Sequence, residues 1–212
     1  MGMAVSGAAL PLFITMWVVM MAAMMFPSVA PVVVVHWRVA RKRNEKPLSV
    51  PIFVGAYLAV WGAIGAVAYL ADRLVLHFSP SLSLRGAALV GGAALVVAGV
   101  YQFTPAKSAC LRGCRSPMGF MLQWKPGLAG AARMGARNGA YCVGCCWGLM
   151  LALFVLGLAN LAWMGVVAAV IFVEKVAPFG PKATRVFGAG LVALGVAMAI
   201  SPALLGAGPF GG

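Results

Sequence analysis

The sequence predicts an all-α fold, a polytopic integral membrane helical bundle with about six transmembrane helices plus one interfacial amphipathic helix. Of the 212 residues, 63% are hydrophobic and only 9% are charged, whereas a soluble domain is about one-quarter charged. Apolar segments of about 20 residues, the length that crosses a bilayer, recur along the chain. The basic residues fall between these segments, as in polytopic membrane proteins. We therefore expect one membrane domain over residues 1–212, with the lipid bilayer as its surroundings.

Hydropathy sets the bounds of the predicted helices. The fifth apolar segment is short for a span, so we expect it to tilt little or to extend into its loops. Residues 104–138 are predicted to form a cytoplasmic loop. Within it, residues 127–138 carry Arg133 and Arg137 four positions apart among apolar neighbours, which predicts an interfacial helix. The six spans are predicted at residues 8–35, 50–70, 86–103, 139–158, 161–176 and 186–205.

The basic residues predict the orientation of these helices. The chain has 16 Lys and Arg against 3 Asp and Glu. Only Arg73 and Arg85 fall on one side of the predicted membrane, and the other 14 of the 16 fall on the opposite side. The positive-inside rule then places the 14 in the cytoplasm and both termini outside. Because these charges lie in loops between apolar segments, no nucleic-acid partner is expected.

All five cysteines lie within a stretch of 37 residues. Cys142, Cys145 and Cys146 lie at i, i+3 and i+4, so they share one helix face. Cys110 and Cys114, at i and i+4, lie in the basic loop just upstream. Thiolates are soft ligands, which favours Cu(I), with zinc or iron as alternatives, and they also support redox chemistry. Cys142, Cys145 and Cys146 are predicted as the core metal ligands, and Cys110 or Cys114 is predicted to complete the metal site. The alternative is that the cysteines pack as small apolar side chains.

Other side chains are weaker candidates for the same metal. Met16, Met20 and Met24 lie at i, i+4 and i+8 in the first predicted helix. Thioethers bind Cu(I), although methionine is also an adaptable packing residue. Asn138 and Met150 lie one helical turn before and after the cysteine cluster, on the same face.

Glu174 ends the fifth predicted helix and is one of three acids in the chain. An acid close to a membrane is a functional candidate, so Glu174 is included as a weaker metal ligand. The alternative is an interfacial ion pair with Lys175, Arg133 or Arg137.

The sequence contains no recognised motif of an ATPase, a hydrolase or a dinucleotide-binding enzyme. We therefore expect a protein that is not an enzyme. The favoured interpretation is a metal-binding membrane protein, acting in metal handling or cofactor delivery. A thiol-redox membrane protein and a non-catalytic structural subunit of a larger complex are the alternatives.

Several short motifs occur together between about residues 16 and 180. They are Met16-Trp17 with Met20 and Ala23-Met24-Met25-Phe26-Pro27, Tyr101-Gln102-Phe103-Thr104-Pro105-x-Lys107, Cys110-Leu111-x-x-Cys114-Arg115-Ser116-Pro117, Gly139-x-Tyr141-Cys142-x-Gly144-Cys145-Cys146-Trp147, Asn160-x-x-Trp163-Met164 and Glu174-Lys175-x-x-Pro178. In this combination the chain resembles an uncharacterised bacterial family of predicted metal-binding integral membrane proteins.

The resemblance implies metal binding, and we expect the protein in a bacterial inner membrane. The positive-inside rule places both of its termini in the periplasm. A membrane-protein or metallochaperone partner would be consistent with that role. The chain departs from the family at Asn138, where relatives commonly carry a histidine. Many relatives also have one more hydrophobic segment before the methionine-rich helix.

Overall fold

The computed structural model of the protein describes residues 9–78, 84–116, 119, 124–156 and 161–201. This part of the chain is helical, which confirms the predicted all-α class. In chain order its helices are α1 (Ala9–Lys42), α2 (Ser49–Phe78), α3 (Leu84–Tyr101), α4 (Pro105–Arg115), α5 (Gly127–Leu156), α6 (Leu161–Val176) and α7 (Gly180–Ile200).

Four described helices, α1, α2, α5 and α7, are long and apolar enough to cross a membrane. α3 and α4 are separated by a break with a bend of 64°, and together they count as a fifth candidate. α6 has 16 residues, which corresponds to a length of about 24 Å, whereas the hydrocarbon core of a bilayer is about 30 Å thick. Six spans are therefore not confirmed among the described residues, which contain four or five.

The helix bounds differ most from the prediction between residues 104 and 138. α4 occupies Pro105–Arg115, inside the predicted loop. The predicted interfacial helix at residues 127–138 is instead the beginning of α5, which runs unbroken to Leu156. The predicted helix ends at residues 8, 157–158 and 202–205 lie outside the described residues.

The chain divides into two compact units. Unit 1 comprises Met1–Pro80 and Ser116–Val143, and unit 2 comprises Ser81–Arg115 and Gly144–Gly212. Unit 1 therefore contains α1, α2 and the first part of α5. Unit 2 contains α3, α4, the rest of α5, α6 and α7.

In unit 1, α1 packs along α2. Trp17 of α1 donates its indole N–H to the Trp61 carbonyl of α2 at 3.0 Å. Because a buried donor without an acceptor is costly, this bond satisfies the Trp17 indole and also joins the two helices. The large, fully buried side chains of α1 and α2 include Met21, Met25, Phe53, Tyr57 and Trp61.

The first part of α5 packs closely on α2 within unit 1. A Cβ at Gly135 would collide with the Phe53 carbonyl, and one at Gly139 would lie 3.0 Å from Val60 Cβ. Glycine at both positions therefore permits a close helix contact. The N-terminus of α5 is capped by the Glu45 carboxylate, which accepts the Gly127 N–H at 3.1 Å and places a negative charge at the positive end of the helix dipole.

In unit 2, α3 packs against α7, α7 against α6, and α6 against α4. The α3–α7 contact is made by glycines at two levels. A Cβ at Gly92 would lie 2.6 Å from the Gly195 carbonyl, and one at Gly99 would lie 2.7 Å from the Gly188 carbonyl. Leu95, Ala152 and Met198 form a buried apolar cluster in the same unit.

Candidate functional site

In unit 2, α4 and α5 bring two predicted ligand thiols together. Cys114 Sγ lies 3.7 Å from Cys145 Sγ. Cys145 is buried and Cys114 is partly exposed. Two sulfur atoms that each bind one metal at about 2.3 Å, at a tetrahedral angle, are about 3.8 Å apart. The two thiols are therefore spaced so that one ion can bind both of them with little movement of the protein.

Cys110 lies one helical turn before Cys114 on α4 and packs against Gly144 of α5. A Cβ at Gly144 would lie 2.6 Å from Cys110 Sγ, so the glycine is what lets this thiol contact the helix. Tyr101 donates its hydroxyl to the Gly144 carbonyl at 2.6 Å. The backbone that precedes Cys145 is thus held from outside its own helix.

A buried ion pair lies beside the two thiols. Lys107 of α4 donates to a Glu174 carboxylate oxygen of α6 at 2.7 Å, with side-chain exposures of 1% and 2%. The same ammonium group donates to the Cys145 carbonyl. Glu174 therefore pairs with Lys107, which was not among the partners expected from the sequence.

Arg115 makes a second connection between α4 and the end of α6. Its guanidinium donates to the Glu174 carbonyl at 2.5 Å and to the Ala177 carbonyl at 2.7 Å. A side chain at Gly180 would collide with this guanidinium. The Glu174 carbonyl is one of those that a helix C-terminus leaves without an intrahelical donor, and Arg115 satisfies it. The Ala177 carbonyl also accepts the Gly180 N–H.

Unit 1 contains a separate pair of sulfur side chains. Cys142 Sγ lies 3.9 Å from Met25 Sδ and 3.1 Å from the Tyr57 hydroxyl. All three side chains are buried. A thiol, a thioether and a hydroxyl therefore meet where α1, α2 and the first part of α5 pack together.

The other predicted ligands are distributed as follows. Asn138 is buried in unit 1, one turn before Cys142, and Cys146 and Met150 are buried in unit 2. The three methionines predicted as weaker ligands, Met16, Met20 and Met24, do not share one environment. Met16 is 65% exposed and Met24 is buried, while Met20 is intermediate.

A family model described as PpoB2, copper chaperone, matches residues 14–198. The chain belongs to this family. Copper is a metal that thiolate and thioether ligands select, so the description agrees with the resemblance to a metal-binding family. Neither a curated protein nor a solved structure matches the chain.

In this member of the copper chaperone family, the candidate ligands form pairs. Across the described ranges, no group of three or more His, Cys, Asp or Glu side chains is arranged to hold a metal ion. Two sulfur–sulfur contacts among the described residues are Cys114 with Cys145 in unit 2 and Cys142 with Met25 in unit 1.

Lys107 and Tyr57 were not identified from the sequence. Lys107 was counted among the cytoplasmic loop cations, but it is 1% exposed. A signal was available, because Lys107, Leu111 and Cys114 are spaced to share one face of a helix. Tyr57 lies in a uniformly apolar segment, and nothing in its spacing pointed to Cys142.

Proposed function

We propose that this protein is a membrane-embedded copper carrier that holds Cu(I) on sulfur ligands and passes it to a partner protein. The observation that carries the proposal is the 3.7 Å separation of Cys114 Sγ and Cys145 Sγ. The description of the family as a copper chaperone supports the same cargo. In this role copper is the substance delivered, and the partner would be a membrane protein or a metallochaperone.

The chemistry of a thiol pair favours Cu(I) over zinc or iron. Soft thiolate ligands stabilise Cu(I), and two thiolates are enough to hold it, although a linear arrangement would require the two sulfurs to move apart from 3.7 Å. Zinc in structural protein sites takes four ligands. A pair of thiols on two packed helices therefore supplies the coordination that Cu(I) needs and half of what zinc needs.

The Cys142–Met25 pair is the second part of this proposal. A thiolate with a thioether also binds Cu(I), and it carries less negative charge than two thiolates. Two sites of different strength suit a carrier, because cargo must be bound and then released. We propose Cys114–Cys145 as the stronger site and Cys142–Met25 as the weaker one.

The proposed location is a bacterial inner membrane. The four or five apolar helices supply the necessary length. The basic residues of α4 and of the first part of α5, among them Arg112, Arg115, Arg133 and Arg137, favour placing these two segments on the cytoplasmic side. There the thiols stay reduced and available for metal.

Copper binding to the purified protein tests the proposal. The protein is extracted in detergent, loaded with Cu(I) under reducing conditions and titrated against a competing Cu(I) chelator. Cys114→Ser and Cys145→Ser should each lower the affinity by more than about 100-fold, since losing a ligand should exceed the about 10- to 100-fold loss seen for groups behind the ligands. Ser108→Ala, at an exposed position on the same helix, is the control. Equal affinities in all four proteins would exclude this pair as the site.

The same pair supports a second candidate function, thiol–disulfide exchange. In that reaction the Cys114 and Cys145 thiols become a disulfide while a partner's disulfide is reduced to two thiols. The sulfurs would have to approach from 3.7 Å to a bond length of about 2.05 Å. A mixed disulfide trapped on Cys114→Ser or Cys145→Ser, together with no retained copper, would favour this candidate.

A further inference from the structure

We propose that Lys107 is the positioning residue of the Cys114–Cys145 pair, and that it sets the distance between the two sulfurs through the Cys145 backbone. The inference rests on the proposed function, because it takes this pair as the copper site. Lys107 carries an ammonium group, which cannot coordinate a metal cation. Its contribution must therefore come from what it holds in place.

Lys107 connects the three helices that build the site. From α4, its ammonium group donates to the Cys145 carbonyl on α5 and to the Glu174 carboxylate on α6. An ammonium group has three protons, so it can satisfy both acceptors at once. The carbonyl that it holds belongs to the residue whose thiol is the proposed ligand.

The spacing on α4 transmits this contact to the other thiol. Lys107 and Cys114 are seven residues apart, which is about two helical turns, so both lie on the face toward α5. Once Lys107 is bonded to Cys145, a rigid helix fixes where Cys114 lies. Because the link passes through a backbone carbonyl and a helix, it leaves little freedom in the distance between the two sulfurs.

Glu174 holds α4 at two points, one on each side of Cys114 in the sequence. Its carboxylate accepts from Lys107, and its carbonyl accepts from Arg115, which directly follows Cys114. α4 therefore cannot pivot about one contact. We name the three residues Lys107, Glu174 and Arg115 the α4 clamp.

A purely stabilising role does not account for the clamp. Moving an ion pair out of water costs about as much as the pair returns, so a buried pair of similar apolar residues is often equally stable. What an apolar pair cannot supply is a donor for the Cys145 carbonyl. The positioning role and the stabilising role therefore predict different behaviour when both charges are removed together.

The decisive variant is Lys107→Met/Glu174→Met. Replacing only one of the two residues by an apolar side chain leaves the other charge buried without its hydrogen-bonded partner, which is strongly destabilising, whereas the double variant keeps apolar bulk at both positions. We expect thermal unfolding close to that of the unmodified protein, with Cu(I) affinity lower by about 10- to 100-fold, as for groups that orient metal ligands. Arg112→Met, at an exposed position on α4, is the matched control and should change neither quantity.

A metal-free measurement isolates the geometry. Cys110, Cys142 and Cys146 are first replaced by alanine. Diamide then oxidises the two remaining thiols to the Cys114–Cys145 disulfide. The rate of disulfide formation is measured as the loss of thiol labelling. The double variant should form it at least about 10-fold more slowly, since closing a bond depends on reaching a near-attack geometry. Glu174→Gln keeps a side-chain oxygen that accepts from Lys107, so the Lys107 ammonium group stays bonded to the Cys145 carbonyl. This variant should slow disulfide formation less than the double variant does.

The outcomes separate the two proposals. Unchanged disulfide formation and Cu(I) affinity in a stable double variant would overturn the positioning role, as would equal slowing by Glu174→Gln and the double variant. Lys107-dependent disulfide formation in a protein that never binds Cu(I) would support the positioning role while removing the copper function. If the double variant does not fold, Lys107→Gln decides in its place, because a disulfide rate equal to that of Arg112→Met would contradict the positioning role of Lys107.

Discussion

At the scale of single residues, burial distinguishes methionines that look alike in the sequence. Met16 is 65% exposed, whereas Met25 is fully buried against Cys142. When the orientation of an apolar helix is unknown, the sequence spacing of its methionines does not show which thioether faces lipid and which faces a thiol. Only the partner distinguishes a copper ligand from a packing side chain.

We predict that Met25→Leu weakens Cu(I) binding at Cys142 and that Met16→Leu does not. Both substitutions conserve volume and usually cost less than about 1.5 kcal/mol in stability, so a difference between them reports on the thioether sulfur. Titration with a Cu(I) chelator, in protein with Cys114 and Cys145 replaced by serine, measures the weaker site alone. Equal affinities of the two variants would contradict a role for Met25.

At residue scale, the helical spacing of the cysteines could be predicted from the sequence, but their contacts could not. Three thiols at i, i+3 and i+4 of one helix are a property of spacing, and so they could be predicted. The contact of Cys145 with Cys114 depends on how α4 packs on α5, which involves residues 31 positions apart. Lys107 was misplaced for a related reason. A lysine between apolar segments usually lies in a loop, and its burial follows from an acid 67 positions away.

At the scale of helices, the glycines of α3 and α7 show where backbones meet. Gly92 lies against Gly195, and Gly99 lies against Gly188. The spacing is seven residues on each helix, about two turns, so both contacts lie on one face. In membrane helices, close backbone approach of this kind replaces the hydrophobic drive that assembles soluble bundles.

We predict opposite effects from two alanine substitutions on α7. At Gly188 a Cβ would lie 2.7 Å from Gln102 Cβ, so Gly188→Ala should destabilise the protein by about 1–3 kcal/mol through overpacking. At Gly190 nothing lies within 4 Å, so Gly190→Ala should stabilise it by up to about 1 kcal/mol through helix propensity. Thermal unfolding in one detergent checks both. A gain in stability at Gly188 would show that the two helices can separate at no cost.

The fold was predictable from sequence where composition decides it. A chain with 9% charged residues whose apolar segments repeat at spanning length has few soluble alternatives, and the helical class follows. The first part of α5 was not predictable in the same way. Arg133 and Arg137 are exposed on one face and Gly135 is buried on the other, which is the periodicity of an interfacial helix. The close fit of Gly135 against Phe53 makes it a packed helix instead.

At the scale of the whole molecule, each compact unit contains its own pair of sulfur side chains. Unit 1 holds Cys142 with Met25, and unit 2 holds Cys114 with Cys145. α5 is continuous through both units and carries a cysteine of each pair. In the proposed carrier, loading and unloading would use different sulfur pairs, provided that the thiols are accessible from the side where the partner lies.

Accessibility therefore depends on orientation, which the basic residues predict. We expect the α1–α2 loop in the cytoplasm and the start of α3 outside. Lys46 and Arg85 are both exposed in the structure, and Lys46→Cys and Arg85→Cys are each made in a background with all five native cysteines replaced. A membrane-impermeant thiol reagent should label the residue at position 85 in intact cells, and the one at position 46 only after the membrane is opened. The opposite pattern would place the Cys114–Cys145 pair on the oxidising side, where a disulfide would compete with Cu(I) for both sulfurs.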